Sequence, residues 1–250
     1  VLQYTGGTTG IPKGAMLTHA NLTANTLQAE MWCQGLQEGN EKMLAVLPLF
    51  HVFAMTAVMN VALKIGGEII LMPRFDLKSL LRTIHQKRPT VFPAVPTIFT
   101  SINHSKSLDS YDLSCLKLCI SGGAGLPITV KRKFEERTGC KLVEGYGLSE
   151  TSPLATANPF FGVSKEGSIG IPVPGTIVEI RDQEDPNKVL GVGEKGEICV
   201  RGPQVMTGYW NRDDETELCL RDGLLHTGDI GYMDEEGYFY IVDRMKDLII

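Results

Sequence analysis

The sequence predicts an α/β fold: layered βαβ units around a mostly parallel sheet, followed by a smaller antiparallel, β-barrel-like subdomain. From residue 43 to 144, short apolar runs alternate with longer amphipathic ones, which is the rhythm of βαβ units. From about Gly170 the pattern becomes short alternating strands separated by turn residues, as in antiparallel sheets. Three glycine-bearing stretches, 6–14, 122–125 and 145–147, fall where the first pattern places the carboxyl ends of strands. In open α/β sheets ligands bind there, so the three are expected to converge on one crevice.

Taken in order, strands are expected at 43–47, 68–72, 91–94, 116–121 and 141–144, with helices at 55–64, 77–87 and 128–138. The second pattern supplies strands at 177–181, 196–201, 224–227 and 238–242. The polar, Pro- and Gly-containing stretch 182–193 reads as a hairpin loop. The expected division is a partial α/β core over 1–169, a small β subdomain over 170–243, and a hinge over 244–250.

With 250 residues, 43% hydrophobic and 21% charged content, and mean hydropathy near zero, the chain has the composition of a globular protein with a real core. A formal charge of −5 without any Lys/Arg-rich block excludes a nucleic-acid footprint, so an anionic ligand must be met by locally placed donors. The six cysteines, Cys33, Cys115, Cys119, Cys140, Cys199 and Cys219, are scattered with no Cys-x-x-Cys, as expected of reduced, mostly buried thiols in a cytoplasmic protein. No apolar run reaches the roughly 18 residues of a spanning helix. The chain opens at Val1-Leu2-Gln3 and stops at Leu248-Ile249-Ile250 in mid-pattern, so both ends read as cut from something longer.

Thr5-Gly6-Gly7-Thr8-Thr9-Gly10-Ile11-Pro12-Lys13-Gly14 combines glycines, hydroxyls and one lysine, a composition suited to holding phosphate. The familiar nucleoside-triphosphate loop needs Gly-Lys followed by Ser or Thr, whereas Lys13 lies between Pro12 and Gly14, which sets aside a P-loop phosphotransferase. Gly145-Tyr146-Gly147-Leu148-Ser149-Glu150-Thr151 offers an aromatic face for a base, a hydroxyl for a phosphate oxygen and a carboxylate for Mg²⁺. A helix N-cap is the plainer reading of Ser149 and Glu150. Asp229, in Leu225-His226-Thr227-Gly228-Asp229, is expected to end a strand, where a carboxylate can accept from ribose hydroxyls. Asp243-Arg244-Met245-Lys246-Asp247 alone reads as a solvated strand end. His51, within Leu47-Pro48-Leu49-Phe50-His51-Val52-Phe53, alone reads as a core histidine. No catalytic triad and no pair of histidines at metal-ligand spacing is identifiable, so electrostatics toward phosphate and metal must carry the chemistry.

The glycine–threonine–lysine loop, Ser121-Gly122-Gly123-Ala124, Gly145 to Glu150, Gly208-Tyr209-Trp210, His226-Thr227-Gly228-Asp229 and Asp243 to Asp247 occur in the order seen in adenylate-forming enzymes. Over essentially its whole length the chain resembles the middle of an AMP-binding acyl-CoA synthetase, most of all the bacterial long-chain fatty acid–CoA ligases. The resemblance implies that ATP and coenzyme A are used with Mg²⁺ on a fatty acid. Thr5 to Gly14 would wrap the β- and γ-phosphates, and Gly122, Gly123 and Ala124 with Glu144, Gly145 and Tyr146 would form the adenine pocket. Ser149 stands where the family usually has threonine at the α-phosphate, and Gly125 where it often has proline. Glu150, with Thr5, would hold Mg²⁺; Asp229 would bind the ribose, supported by Arg244; Lys246 would occupy the hinge. Phe50 and His51 would lie where acyl pocket and thiol channel meet. Complete long-chain members often dimerise and associate peripherally with the inner face of the membrane. The chain stops before the domain from which the family takes its adenylation lysine, so the isolated piece is expected to adenylate poorly. Peptide-synthetase adenylation domains carry an aspartate after the phenylalanine where this chain has His51, and a non-catalytic nucleotide-binding module need not keep Lys13, Ser149, Glu150, Asp229 and Arg244 together.

Overall fold

A computed structural model describes residues 1–5 and 12–244. Its first element is a hairpin, β1 (Leu2–Thr5) against β2 (Lys13–Met16), with Thr5 opposite Lys13. Helix α1 (His19–Trp32) follows; Thr18 caps it, accepting the Asn21 N–H, while the Asn21 side chain accepts from the Thr18 N–H in return.

Next come β3 (Lys42–Ala45), a helical run of α2 (Val52–Ala54), a π-helical stretch Met55–Asn60 and α3 (Val61–Lys64), then β4 (Glu68–Leu71). Asp76 caps α4 (Leu77–Lys87) by accepting the Ser79 N–H. After β5 (Val91–Ala94), Pro96 opens α5 (Pro96–His104), a position where its missing N–H costs nothing. Strand β6 (Leu118–Ser121) leads to α6 (Ile128–Thr138), stopped by the left-handed Gly139, and then to β7 (Leu142–Gly147) and β8 (Leu154–Ala157). The remaining elements are β9 (Ile171–Pro172), β10 (Ile177–Arg181), β11 (Gly196–Arg201), α7 (Asp213–Cys219), β12 (Leu220–Arg221), β13 (Leu224–Met233) and β14 (Phe239–Arg244).

Seven strands form the main sheet in the order β4-β3-β5-β6-β7-β8-β9; β4 through β7 are parallel, and β8 and β9 run antiparallel. Helices cover both faces, so β5 is buried along its whole length, as parallel strands must be. On one face α4, α5 and α6 enclose Phe92, Phe99 and Phe134, whose rings meet edge to face at 5.4 and 5.0 Å. On the other, α1 and the 52–64 run bury Ala29, Val58 and Val61 against Met43, Val91 and Val143.

The second sheet, β10-β11-β13-β12 with β14 on β13, is antiparallel throughout, and the hairpin loop expected at 182–193 spans 182–195 between β10 and β11. Two expectations need correction. Gly145–Gly147 is not a loop but the end of β7, which continues past Glu144 because β8 returns alongside it. The phosphate-loop stretch 6–14 does not leave a strand of the parallel sheet; its flanks form the separate β1–β2 hairpin, while residues 6–11 lie outside the described residues. Four of the six cysteines are buried, all are unpaired, and burial pushes the Cys33 thiol up to about 12. Among the described residues no helix is long and apolar enough to cross a membrane.

Candidate functional site

Glu150 lies in a 3₁₀ turn, Ser149–Thr151, between β7 and β8, and both strands of the β1–β2 hairpin pack against that turn. Thr151 fixes its shape: the buried hydroxyl receives the Leu148 N–H at 2.9 Å and donates onward to a main-chain carbonyl. Gly147 is required where β7 enters the turn, since a Cβ there would lie 1.7 Å from the Pro153 carbonyl oxygen. The π-helical stretch is tied to the same place, with the Thr56 hydroxyl donating to the Ser152 carbonyl at 2.6 Å.

The Glu150 side chain is 8% exposed, and its Oε1 accepts from the Tyr209 hydroxyl at 2.5 Å. Among the described residues it forms no ion pair, and the Ser149 hydroxyl forms no hydrogen bond. A buried carboxylate with a phenol but no cation at its side fits a divalent-ion ligand, because a charge out of water needs a counter-charge. The reading of Ser149 as an N-cap is not upheld: its hydroxyl caps nothing.

Asp229 is also 8% exposed. It does not end a strand as expected, because β13 runs on to Met233 and pairs Asp229 with Arg244 of β14. Its Oδ2 accepts from the Tyr146 hydroxyl at 2.7 Å, and Oδ1 lies 3.3 Å from Arg244 Nε. The turn before it is held by Glu197, whose carboxylate accepts the Gly228 N–H at 2.9 Å and lies 2.8 Å from His226 Nδ1. Burial first, then the neighbouring Asp229, pushes the Tyr146 phenol well above its ordinary value, so it remains a donor. Of the three acidic residues expected in the site, Glu150 and Asp229 thus each carry a tyrosine hydroxyl.

The expected adenine pocket is brought together by strand register: Ser121, at the end of β6, lies opposite Glu144 on β7. Gly122 follows under the Phe53 ring, 3.2 Å from where its Cβ would be, and near the Gly145 carbonyl. Glu144 Oε1 accepts the Leu126 N–H at 2.9 Å, which braces the segment containing Gly123, Ala124 and Gly125. Burial pushes the Glu144 carboxyl up to about 7, against the opposing pull of that N–H and of Lys131.

Lys13 is buried at the foot of the hairpin, its Nζ 2.8 Å from Glu215 Oε2 and 4.8 Å from the centroid of the Tyr209 ring. Glu215 was not singled out from sequence, where it is one of three acids in the first turn of α7 and resembles a solvated face. Phe50 and His51 are not drawn into these contacts. Phe50 is 80% exposed, and His51 is exposed rather than a core residue, its Nδ1 accepting the Phe53 N–H at 3.2 Å to cap α2. Gly6, Gly7, Thr8, Thr9, Gly10 and Lys246 lie outside the described residues.

The β1–β2 hairpin with Lys13 and two buried carboxylates, Glu150 and Asp229, each accepting from a tyrosine hydroxyl, make up the candidate site. The family model described as AMP-binding enzyme matches residues 1–210, and the chain belongs to that family. It is 55% identical over 250 residues to a long-chain-fatty-acid–CoA ligase of Bacillus subtilis, covering all of this chain and 44% of that protein. ATP-bound MatB from Rhodopseudomonas palustris has a TM-score of 0.91 at 36% identity, covering 100% of this chain and 48% of that one. FadD1, a long-chain-fatty-acid–CoA ligase from Archaeoglobus fulgidus, has a TM-score of 0.86 at 32% identity, covering 96% and 50%. The chain thus spans less than half the length of the curated relatives it matches.

Proposed function

We propose that the protein carrying this chain is an AMP-forming acid–thiol ligase that activates a long-chain fatty acid with ATP and transfers the acyl group to coenzyme A. The observation that carries the reading is the pair of buried, tyrosine-bound carboxylates Glu150 and Asp229, with Glu150 in the turn on which the Lys13 hairpin packs. Identity of 55% to a long-chain-fatty-acid–CoA ligase supports the acyl substrate.

In the first half-reaction a carboxylate oxygen attacks the α-phosphorus, the bond from that phosphorus to the bridging oxygen breaks, and pyrophosphate departs with its electron pair. In the second, the coenzyme A sulfur attacks the acyl carbonyl carbon, the acyl–oxygen bond of the mixed anhydride breaks, AMP leaves, and the thiol proton passes to solvent. Magnesium would be held by Glu150 with Thr5 and would neutralise polyphosphate charge. The rest falls to the chain's own residues. Thr5 to Gly14 hold the β- and γ-phosphates, Lys13 adds charge toward the leaving group, and Ser149 donates to the α-phosphate. Gly122, Gly123, Ala124, Glu144, Gly145 and Tyr146 enclose the base. Asp229 accepts from the ribose, with Arg244 fixing its carboxylate, and Phe50 and His51 border the acyl and thiol channels. The proposed division is 1–169 for the nucleotide core, 170–243 for the β subdomain that brings Asp229, and 244–250, with Lys246, for a hinge.

Pyrophosphate release by the full-length protein, measured with acetate, octanoate, palmitate and aromatic acids, tests this reading. Palmitate is expected to give the highest kcat/KM, and preference for acetate or for an amino acid overturns the long-chain assignment.

A further inference from the structure

Gly208-Tyr209-Trp210 is the one sequence motif to which the proposed reaction gives no task. The main chain of 206–210 ties the two halves of the site together. Met206 N–H donates to the Glu150 carbonyl at 2.8 Å, Met16 N–H to the Gly208 carbonyl at 2.9 Å, and Trp210 N–H to the Gly14 carbonyl at 2.8 Å. Tyr209 is 5% exposed, and its own N–H donates to Thr216 Oγ1 at 2.8 Å. Its hydroxyl donates to Glu150 Oε1 at 2.5 Å, while Lys13 Nζ lies 4.8 Å from the centre of its ring.

A carboxylate side chain otherwise turns freely about its last bond, and a ligand that turns freely loses that freedom only when the ion binds. A hydrogen bond to one oxygen removes the freedom in advance and aims the other lone pairs, as outer-shell partners do at metal sites generally. We propose that Tyr209 is a positioning residue of the nucleotide site, orienting the Glu150 carboxylate toward a divalent cation with its hydroxyl while seating Lys13 on its ring. This rests on the reading of Glu150 as the magnesium carboxylate.

Mn²⁺ binding to the ATP-loaded, full-length protein, followed by electron paramagnetic resonance, tests it. Y209F keeps the ring and removes the hydroxyl. It is expected to weaken Mn²⁺ about 10-fold, within the range for outer-shell partners, and to change metal-free ATP affinity less than about 2-fold. Glu150→Gln should weaken Mn²⁺ at least as much, and the double variant E150Q/Y209F should be no weaker than E150Q alone. If E150Q weakens Mn²⁺ and Y209F does not, the inference fails and the reading of Glu150 stands. Additive losses place the effect of Tyr209 in the fold rather than on Glu150 and also overturn the inference. If E150Q has no effect, the reading of Glu150 falls and takes the inference with it. Should Y209F not fold, 3-fluorotyrosine at position 209 keeps both ring and hydroxyl. Its ¹⁹F resonance is expected to shift when Mg²⁺ is added to the ATP complex, but not in E150Q, and a resonance blind to Mg²⁺ overturns the proposal.

Discussion

Glu144 is the carboxyl whose burial has the clearest consequence for pH. Its folded value of about 7 lies above the ordinary 4.5, so between those two pH values the folded chain keeps a proton that the unfolded chain has lost. The stability this confers is full below about pH 4.5 and is lost as pH rises to about 7. Glu144→Gln keeps an acceptor for the Leu126 N–H and cannot ionise. Urea denaturation should show the variant gaining on the wild type by on the order of 2 kcal/mol between pH 4.5 and 7.5, and an unchanged difference would remove the assignment. Gly147 gives a steric counterpart, since its Cβ would lie 1.7 Å from a main-chain oxygen. Gly147→Ala is expected to cost on the order of 4 kcal/mol, read from the midpoint of chemical unfolding, because backbone rather than a flexible side chain must move.

At the scale of elements, α5 and α6 hold the sheet through three phenylalanines in edge-to-face contact. Phe99 lies in the middle, fully buried, and Phe99→Ala should lower stability by about 3–5 kcal/mol while leaving the far-UV spectrum native at low denaturant. What the sequence made legible at this scale follows from which signals are local. The helices at 77–87 and 128–138 and the strands at 91–94, 177–181 and 196–201 coincide with the observed elements, and Asp76, Pro127 and Gly139 mark helix ends by local geometry. The glycines of 145–147 pointed to a loop because glycine usually marks one, yet here they permit close approach of two strands. Of the site, Glu150, Asp229, Glu144 and Lys13 could be named from motif order. That Tyr209, Tyr146 and Glu215 are the partners of Glu150, Asp229 and Lys13 could not be foreseen, because pairing across 59, 83 or 202 residues leaves no spacing to read. No helix was read over 19–32 for another reason: its buried face is Asn21, Asn25, Thr26, Gln28 and Ala29, so no apolar stripe announces it.

For the molecule as a whole, that polar face sets the order of events during folding. Asn25 is fully buried, its Nδ2 donating to Gln28 Oε1 and to the Leu154 carbonyl while its Oδ1 accepts the Leu154 N–H. Gln28 donates to the Pro174 carbonyl and to Gln204, and Asn21 to the carbonyls of Pro203 and Val205. Apart from the local Asn25–Gln28 bond, those partners lie 129 to 184 residues away, so the chain must close long loops before these bonds can form. Fourteen residues with little apolar surface are marginal as a free helix. Docking of α1 is therefore expected after the barrier: Asn25→Ala should speed unfolding several-fold in stopped-flow chevrons and leave the refolding rate nearly unchanged, giving a φ-value near zero. A slowed refolding arm would instead place α1 in the nucleus. A seam made of amides rather than methyls would thus act as a late clasp, closing α1 over its distant partner strands and loops only after those have found their places.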